Sequence, residues 1–285
     1  MVLESRNEES NVLYTNSSTF GNTIYYYNGK DLNNHVIYNN FCFQIVRTDD
    51  DNNIRMIYDG IYEDGTCSEE KIIENSIFNS KTNYNAYVGY MYGNASSNNY
   101  EAEHNNVNSS TVKMRVENWF NDHFKEKKEI SQNAIYCNSR KTTSFVINGV
   151  LFGRLGFASN NTGYNKLNKD YTYQCYNQND RFSVNHEKSN NASNASVGLI
   201  TYDEYILSRN ESKETFLDIK DEYWTMTPDY FDGRDAYIYS IKNGNILSSK
   251  VNKEVGIRPV ITVNNDIKYK SGDGSIDNPY IIGEN

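Results

Sequence analysis

The stretch that decides the fold runs from Tyr223 to Ile261 and is YWTMTPDYFDGRDAYIYSIKNGNILSSKVNKEVGIRPVI. Aromatic and β-branched residues interrupted by Asn and Gly are typical of short strands joined by tight turns. Asn243 and Gly244 predict a hairpin, because this dipeptide favours two-residue hairpin turns. Pro259 cannot donate a ladder hydrogen bond, so it predicts an edge, a bulge or a strand end. The strands predicted here are Tyr223–Thr227, Asp235–Ile241, Asn245–Val251 and Gly256–Val263.

The N-terminal part of the chain has a similar β-sheet pattern. Asn28 and Gly29 give a second turn signal, and residues 49–53 predict the turn of another hairpin. The segment Phe41–Arg47 is fairly apolar on both faces, which is typical of a central strand. The strands predicted in the rest of the chain are Ile24–Tyr27, Val36–Tyr38, Phe41–Arg47, Ile54–Tyr58 and Tyr280–Ile282.

The sequence predicts helices over Thr111–Lys125, over Tyr202–Leu207 and, with a weaker pattern, over Glu69–Phe78. Val112, Val116 and Phe120 fall on one face of the first helix. Thr201 and Glu204 have the spacing of a capping box at the start of the second. Long segments predicted to be polar loops are Gly93–Asn108, Ser139–Gln178 and Asn185–Ser196.

Length and composition limit the function classes. A chain of 285 residues can bury a substantial core, and 25 tyrosines supplement its 37% of hydrophobic residues. A net charge of −9 without a basic stripe argues against binding nucleic acid or anionic lipid. No run of 18 apolar residues occurs, so we expect no membrane insertion. Residues 1–10 are polar and charged, so export would need a signal or anchor before this numbering.

Four cysteines, Cys42, Cys67, Cys137 and Cys175, are widely spaced and form no C-x-x-C pair. This pattern favours two disulfides over a zinc ribbon or thioredoxin-like chemistry. Three connectivities are possible for four cysteines. We favour Cys42–Cys67 with Cys137–Cys175, because each bond then closes one local loop. Four free buried thiols in a cytosolic protein remain the alternative.

Several residue blocks resemble a family of uncharacterised surface proteins of gut Firmicutes. They are residues 25–29, 43–47, 54–60, 84–93, 135–140, 197–204, 223–228, 255–261 and 272–280, together with the helix that carries Trp119 and Phe120. The resemblance covers roughly residues 23–285. This family has no settled activity that the resemblance could transfer.

The C-terminal blocks further resemble C-type-lectin-like domains of two types, the formylglycine-generating enzymes and the variable proteins of diversity-generating retroelements. In these, a strand with a tryptophan precedes a hairpin and a strand ending in Gly-x-Arg-Pro. The resemblance implies an α+β fold with a mixed, mostly antiparallel sheet, two helices and long loops. Residues 1–22 are polar and rich in Ser, Asn and Glu, which indicates a stem or linker. We expect one C-type-lectin-like domain over 23–263. Turn residues followed by a short apolar run predict a C-terminal turn and short strand over 264–285, packed on the domain or leading to an anchor.

In the families it resembles, the hairpin displays the ligand-contacting side chains, and the flanking positions are scaffold. We therefore expect Trp224, Arg258 and Pro259 to be structural. Tyr, Asn, Ser and Arg in the hairpin are residue types that recognition surfaces use. The predicted ligand-binding residues are Tyr230, Phe231, Asp232, Arg234, Tyr237, Tyr239, Asn243, Asn245, Ser249 and Asn252.

The sequence offers little for catalysis or metal binding. The formylglycine-generating enzymes use a cysteine pair near their C-terminal end, and here no cysteine follows Cys175. The four histidines have no H-E-x-x-H spacing, and there is no P-loop or G-x-S-x-G motif. Asp49–Asn53 and the pair Asp273 and Asp277 offer oxygen ligands for calcium, but we interpret both as turns. We expect no cofactor, no metal and no catalytic residue.

The sequence therefore predicts a non-enzymatic, adhesin-like ligand-binding protein. It would be secreted or attached to a bacterial cell surface, and its partner would be a host or bacterial surface protein or glycan. One alternative is a structural stalk or tip module without a ligand. The other is an enzyme with an unrecognised site in the long loops, above all in Ser139–Gln178.

Overall fold

The computed structural model describes residues 11–97, 99–147, 150–157 and 171–283. Within these residues the fold is mostly β-sheet with a few helices, which is compatible with the α+β class. The helices are α1 (Tyr100–Glu103), α2 (Thr111–His123) and α3 (Tyr202–Leu207), with 3-10 turns at Asn85–Val88 and Gln178–Asp180. The strands are β1 (Val12–Thr15), β2 (Ile24–Tyr27), β3 (His35–Tyr38), β4 (Phe41–Thr48), β5 (Ile54–Glu63), β6 (Thr66–Cys67), β7 (Glu74–Ser76), β8 (Met91–Tyr92), β9 (Asn108–Ser109), β10 (Tyr136–Cys137), β11 (Lys141–Ile147), β12 (Val150–Phe157), β13 (Arg181–Phe182), β14 (Val197–Gly198), β15 (Tyr223–Phe231), β16 (Ala236–Lys242), β17 (Asn245–Lys250), β18 (Val255–Ile257), β19 (Val260–Val263), β20 (Tyr269–Ser271) and β21 (Tyr280–Ile282).

The first sheet is built around β4 and β5. Its order is β14-β19-β5-β4-β3-β21-β20, with β2 also pairing β4 and with β1 pairing β2. All of these pairs are antiparallel except β21 with β3. Strand β4 is buried along nearly all of its length, as its two apolar faces predicted. Its Phe41 and Phe43 pack against Phe124 at the end of α2, with ring centroids 5.6 and 6.0 Å apart.

The second sheet has the order β17-β16-β15-β18-β7 and contains most of the stretch Tyr223–Ile261. Gly256–Val263 was predicted as one strand, but the chain leaves the second sheet after Ile257 and enters the first at Val260. Pro259 lies at this crossing, where its missing N–H interrupts the ladder. Its carbonyl instead accepts a hydrogen bond from Tyr58 N at 2.8 Å. This crossing joins the two sheets.

The predicted helices α2 and α3 are confirmed, and the third is wrong. Ser110 Oγ caps α2 by accepting from Lys113 N, and Thr201 and Glu204 form the capping box of α3. Within Glu69–Phe78, β7 replaces the predicted helix because it pairs with β18. Pairing with a buried strand outweighs a short helical pattern. No helix among the described residues is long and apolar enough to cross a membrane.

Three segments contain more regular structure than their polar sequences predicted. The predicted loop Gly93–Asn108 includes α1. The predicted loop Ser139–Gln178 includes the paired strands β11 and β12, and residues 148–149 and 158–170 of it lie outside the described residues. Within the predicted stem, β1 pairs with β2, so the sheet begins before Thr23. Residues 1–10 of that stem and residues 284–285 of the C-terminal segment also lie outside the described residues.

The disulfides Cys42–Cys67 and Cys137–Cys175 are both present, which confirms the predicted connectivity. The first joins β4 to β6. The second joins β10 to the segment after Tyr173, which would otherwise be held to the protein mainly by polar contacts. Both bonds therefore restrain segments that bury little apolar surface of their own.

We expect removal of either disulfide to lower the free energy of unfolding. The loops span 25 and 38 residues, and the loop-entropy relation gives about 3–4 kcal/mol for each bond. Urea unfolding of Cys42→Ser/Cys67→Ser and Cys137→Ser/Cys175→Ser measures this loss. Titration of the denatured wild type should find no free thiol without reductant and four with it. Four thiols without reductant would contradict both bonds.

Candidate functional site

The ten predicted ligand-binding residues do not converge on one place. Strand β16 is seven residues long and has a connection at each end, 232–235 at one and Asn243-Gly244 at the other. These ends lie roughly 20 Å apart at the usual rise per residue. Lys250 pairs with Tyr237, so the turn that contains Asn252 follows at the first end. One small ligand cannot contact both ends.

Five of the ten predicted residues lie at the first end within residues 230–237, which we call the Asp232 end. The rings of Tyr230 and Tyr237 are stacked, with centroids 4.5 Å apart and planes 9° apart. Tyr237 Oη donates to Asp232 Oδ2 at 3.2 Å. Asp232 Oδ1 accepts from the backbone N–H groups of Arg234 and Asp235 at 2.8 and 2.7 Å. The turn thus fixes the orientation of one tyrosine ring, which the other ring then covers.

Protonation states at the Asp232 end follow from these contacts. Burial acts to raise the pKa of Asp232, but hydrogen bonds from the Asp235 and Arg234 N–H groups and from Tyr237 outweigh it and lower that pKa. Burial, followed by the nearby Asp232 charge, raises the pKa of Tyr237 to about 12. At neutral pH the Tyr237 hydroxyl is therefore a donor and Asp232 an ionised acceptor. Arg234 is exposed and adds donors.

Residues distant in sequence complete this end. Lys250 Nζ lies 2.7 Å from Asp235 Oδ2, and the pKa of Asp235 is lowered by hydrogen bonds from Lys250 and then from Thr82. The 3-10 turn Asn85–Val88 packs on β15 and β16. Tyr84, two residues after Thr82, is 38% exposed. Sequence reasoning missed Thr82 and Lys250, and no spacing in the sequence relates Thr82 to the hairpin.

At the opposite end, the polar side chains serve the turn. Asn243 and Gly244 both have positive φ, 47° and 74°, as a type I′ turn requires. Asn245 Nδ2 donates to the carbonyl of Asn243 at 3.0 Å. Asn243 N donates to the carbonyl of Ile219 at 3.0 Å. The hairpin predicted from the sequence is confirmed here. These contacts give Asn243 and Asn245 a role in the turn that needs no ligand.

Two of the predicted residues, Tyr239 and Ser249, are buried, with 7% and 3% of their surfaces exposed. Tyr239 packs on Tyr202 of α3 with ring centroids 4.9 Å apart. Ser249 Oγ donates to Glu222 Oε1 at 2.8 Å and contacts Ser240 Oγ at 2.8 Å. Their assignment to a ligand surface needs correction, because strand alternation turns both side chains into the packed faces of the sheet.

Glu222, Ser240, Ser249 and Lys253 form a polar cluster on the second sheet. A serine beside a lysine is one arrangement used in nucleophilic catalysis, provided that the lysine is neutral. Here Lys253 Nζ lies 3.5 Å from Ser249 Oγ but only 2.7 and 2.6 Å from the oxygens of Glu222. Lys253 is thus paired with the Glu222 carboxylate, its nearer partner. The cluster therefore joins Ser240 of β16 and Ser249 of β17 to Glu222, which precedes β15, and to Lys253 in the turn after β17.

Trp224 and Arg258 lie in the scaffold. Trp224 is fully buried, donates from Nε1 to the carbonyl of Ser76 at 2.9 Å and packs on Phe78. Arg258 is also fully buried and donates to the carbonyls of Tyr58 and Leu217 at 2.8 and 3.2 Å. Its Nη2 lies 2.9 Å from Asp59 Oδ1. Neither side chain reaches solvent.

The two candidate calcium segments form turns. Asp49 Oδ1 accepts from the N–H groups of Asp51 and Asn53 at 3.0 and 2.8 Å. Asp273 Oδ1 accepts from Ser275 N at 3.0 Å. Asp49–Asp51 also line a small polar pocket with Phe20 and the disulfide Cys137–Cys175. In the described part of the chain, no three His, Cys, Asp or Glu side chains are placed to hold a metal ion.

Comparison with known proteins gives no family for this chain. No protein-family model, no curated protein and no solved structure matches it. The resemblance to C-type-lectin-like surface proteins therefore stays a prediction that depends on the sequence blocks themselves.

We expect Glu222→Gln to destabilise the protein in a pH-dependent way. Burial acts to raise the pKa of Glu222, but hydrogen bonds from Lys253, Ser240 and Ser249 outweigh it, so the folded-state pKa is lowered. The carboxylate thus stabilises the fold above the unfolded pKa, and this contribution is lost as the pH falls through the lower folded value. At pH 7 the loss should be about 1 kcal/mol, because Lys253 is half exposed.

Urea unfolding at neutral pH and at successively lower pH values measures this difference. The gap between wild type and Glu222→Gln should close below the usual glutamate range. Asp221→Asn, which removes the same charge one residue earlier, should change the free energy of unfolding by less than about 0.5 kcal/mol at neutral pH. A gap that is independent of pH would contradict the role of the carboxylate.

Proposed function

We propose that this protein is an exported, non-enzymatic binding protein that captures its ligand at the Asp232 end. The observation that carries the proposal is the stacked pair Tyr230 and Tyr237, partly exposed and fixed by Asp232. Rigid tyrosine rings offer contact area at a low cost in conformational entropy. Hydrogen bonds to Asp232 already order the turn in the free protein. Binding a ligand there therefore costs little further conformational entropy.

The ligand in this proposal is a glycan or a protein on a host or bacterial surface. Ring faces pack on the apolar side of a sugar or a side chain, while Asp232 accepts and Arg234 donates hydrogen bonds. A surface of this type discriminates by shape and by polar pairing. Nucleic acid does not fit, since the chain carries a net charge of −9.

Location outside the cell is supported by the chemistry of the cysteines. All four are paired in two disulfides. Disulfides persist in oxidising environments and are rare in the cytosol. We therefore place the protein at a bacterial cell surface or in the secreted fraction, in an adhesin-like role.

The C-type-lectin-like fold is the finer part of the proposal. Strand β15 with its buried Trp224 leads into the hairpin β15–β16, and the chain returns through Gly256-Ile257-Arg258-Pro259 beside β15. This is the order expected from the resemblance. Under this assignment the hairpin displays the ligand surface, restricted to its Asp232 end.

We expect Tyr230→Ala and Tyr237→Ala each to weaken ligand capture by at least about tenfold, as interface hot spots do. Both side chains are partly exposed, so the melting temperature should fall little. Tyr239→Ala is unsuitable, because the buried ring packs on Tyr202 and its loss would leave a cavity. Binding of labelled protein to an array of glycans and purified surface proteins measures capture.

Tyr269→Ala provides the matched control, since Tyr269 is 41% exposed on β20 of the other sheet. It should bind as the wild type does. Equal capture by wild type, Tyr230→Ala and Tyr237→Ala would rule out the Asp232 end. Wild-type protein that captures nothing on the array would favour a structural stalk or tip module.

A further inference from the structure

Strand β1 lies at the edge of the first sheet. It pairs with β2, and no other described strand lies along its outer side. Asn28 N donates to the carbonyl of Asn11 at 2.9 Å, which sets the alternation of the ladder. In an antiparallel pair, alternate residues turn their backbone groups towards the partner. Leu13 and Thr15 therefore face β2, and Val12 and Tyr14 turn their N–H and C=O groups outward.

The side chains of this edge are apolar and exposed. Leu13 is 45% exposed and Tyr14 is 72% exposed. Residues 11–29 contain no Asp, Glu, Lys or Arg, although 23% of the whole chain is charged. The uncharged stretch covers both β1 and its neighbour β2.

The other edges of the two large sheets carry protective features that β1 lacks. Strand β17 contains Lys250, and β20 contains Lys270. The remaining edges are β14 and β6, each only two residues long, and β7, which begins with Glu74. Lysine, other charges and very short strands are the usual means of preventing edge-to-edge pairing. Among these edges, β1 alone combines a length of more than two residues, an unpaired outer side and a strand without charged side chains.

We propose that β1 pairs in antiparallel fashion with β1 of a second copy of this chain, about a two-fold axis. Such an axis keeps each side chain on its own face of the sheet, so Leu13 lies opposite Leu13 of the second copy. Val12 then lies opposite Tyr14 of the second copy, and their outward backbone groups form four hydrogen bonds. An isologous contact of this kind closes as a dimer.

The absence of charge along β1 allows a second copy to occupy this edge. Two chains of net charge −9 repel each other, but no like charges face each other across an uncharged strand. The residual repulsion acts at a distance and is screened by salt. Four-residue strands bury less than the roughly 1,000 Å² of a stable interface, so the dimer is weak and depends on concentration.

Sedimentation velocity from micromolar to near-millimolar protein tests the association. The wild type should shift from monomer towards dimer, and more so at higher salt. Leu13→Lys should stay monomeric throughout, whereas Tyr269→Lys, at an exposed position on the edge strand β20, should still dimerise. A wild type that is monomeric at every concentration, or a Leu13→Lys variant that dimerises equally, overturns the proposal.

The register has its own test, which also separates specific pairing from loose association. Residues opposite each other in a non-hydrogen-bonded antiparallel pair have Cα atoms about 4.5 Å apart, within disulfide range. All four native cysteines are already paired, so Leu13→Cys introduces one free thiol. Mild oxidation should convert it to a covalent dimer several-fold faster than Tyr14→Cys or Tyr269→Cys. Equal rates for the three variants overturn the pairing.

Discussion

The two sheets meet at a buried arginine, Arg258, and the rest of the structure depends on this junction. It lies where the chain crosses from β18 to β19, and its guanidinium bonds to carbonyls of Tyr58 and Leu217 and to the Asp59 carboxylate. Burying a charge costs several kcal/mol unless it is paired and its donors are used. Because these partners come from β5 and from the segment before β15, the cost is offset only when that segment packs on the first sheet.

Buried arginines paired with carboxylates also occur where polar segments join the core. Arg140, fully buried, pairs with Asp180 at 2.7 Å and so holds the segment after Cys175. Glu204 at the start of α3 lies 2.7 Å from Nε of both Arg47 and Arg55. The Arg55 Nε–H is not directed at that oxygen, and the hydrogen bond of this ion pair instead runs from Arg55 Nη2 to Glu204 Oε2 at 3.5 Å. A chain with 37% hydrophobic residues thus orders long polar segments through paired buried charges and two disulfides.

The proposed binding and dimer surfaces belong to different sheets. The Asp232 end extends from the second sheet, where Ser240 and Ser249 of neighbouring strands both hydrogen-bond to Glu222. Strand β1 lies on the first sheet. Neither surface uses a residue of the Arg258 junction. A rigid junction with exposed surfaces on separate sheets allows capture and self-association to be changed by different substitutions.

Local chemistry determined much of this protein before any tertiary contact was known. Asn243-Gly244 specified its turn, Thr201 and Glu204 specified the start of α3, and the two-sided apolar pattern of Phe41–Arg47 specified a central strand. Cysteine spacing favoured the observed disulfide pairs. These features can be predicted from the sequence because each depends on residues close together in the chain.

Only the tertiary structure decided the rest. The segment around Glu74 is a strand because β18 offers it a partner, and Gly256–Val263 divides between two sheets because Pro259 interrupts the ladder. The predicted hairpin site separated into a stacked tyrosine end, a self-contained turn and buried residues such as Ser249. By residue type alone, all of these side chains were equal candidates for a ligand-binding surface. Strand alternation and pairing between distant segments, which sequence spacing does not encode, determined which of them face solvent together.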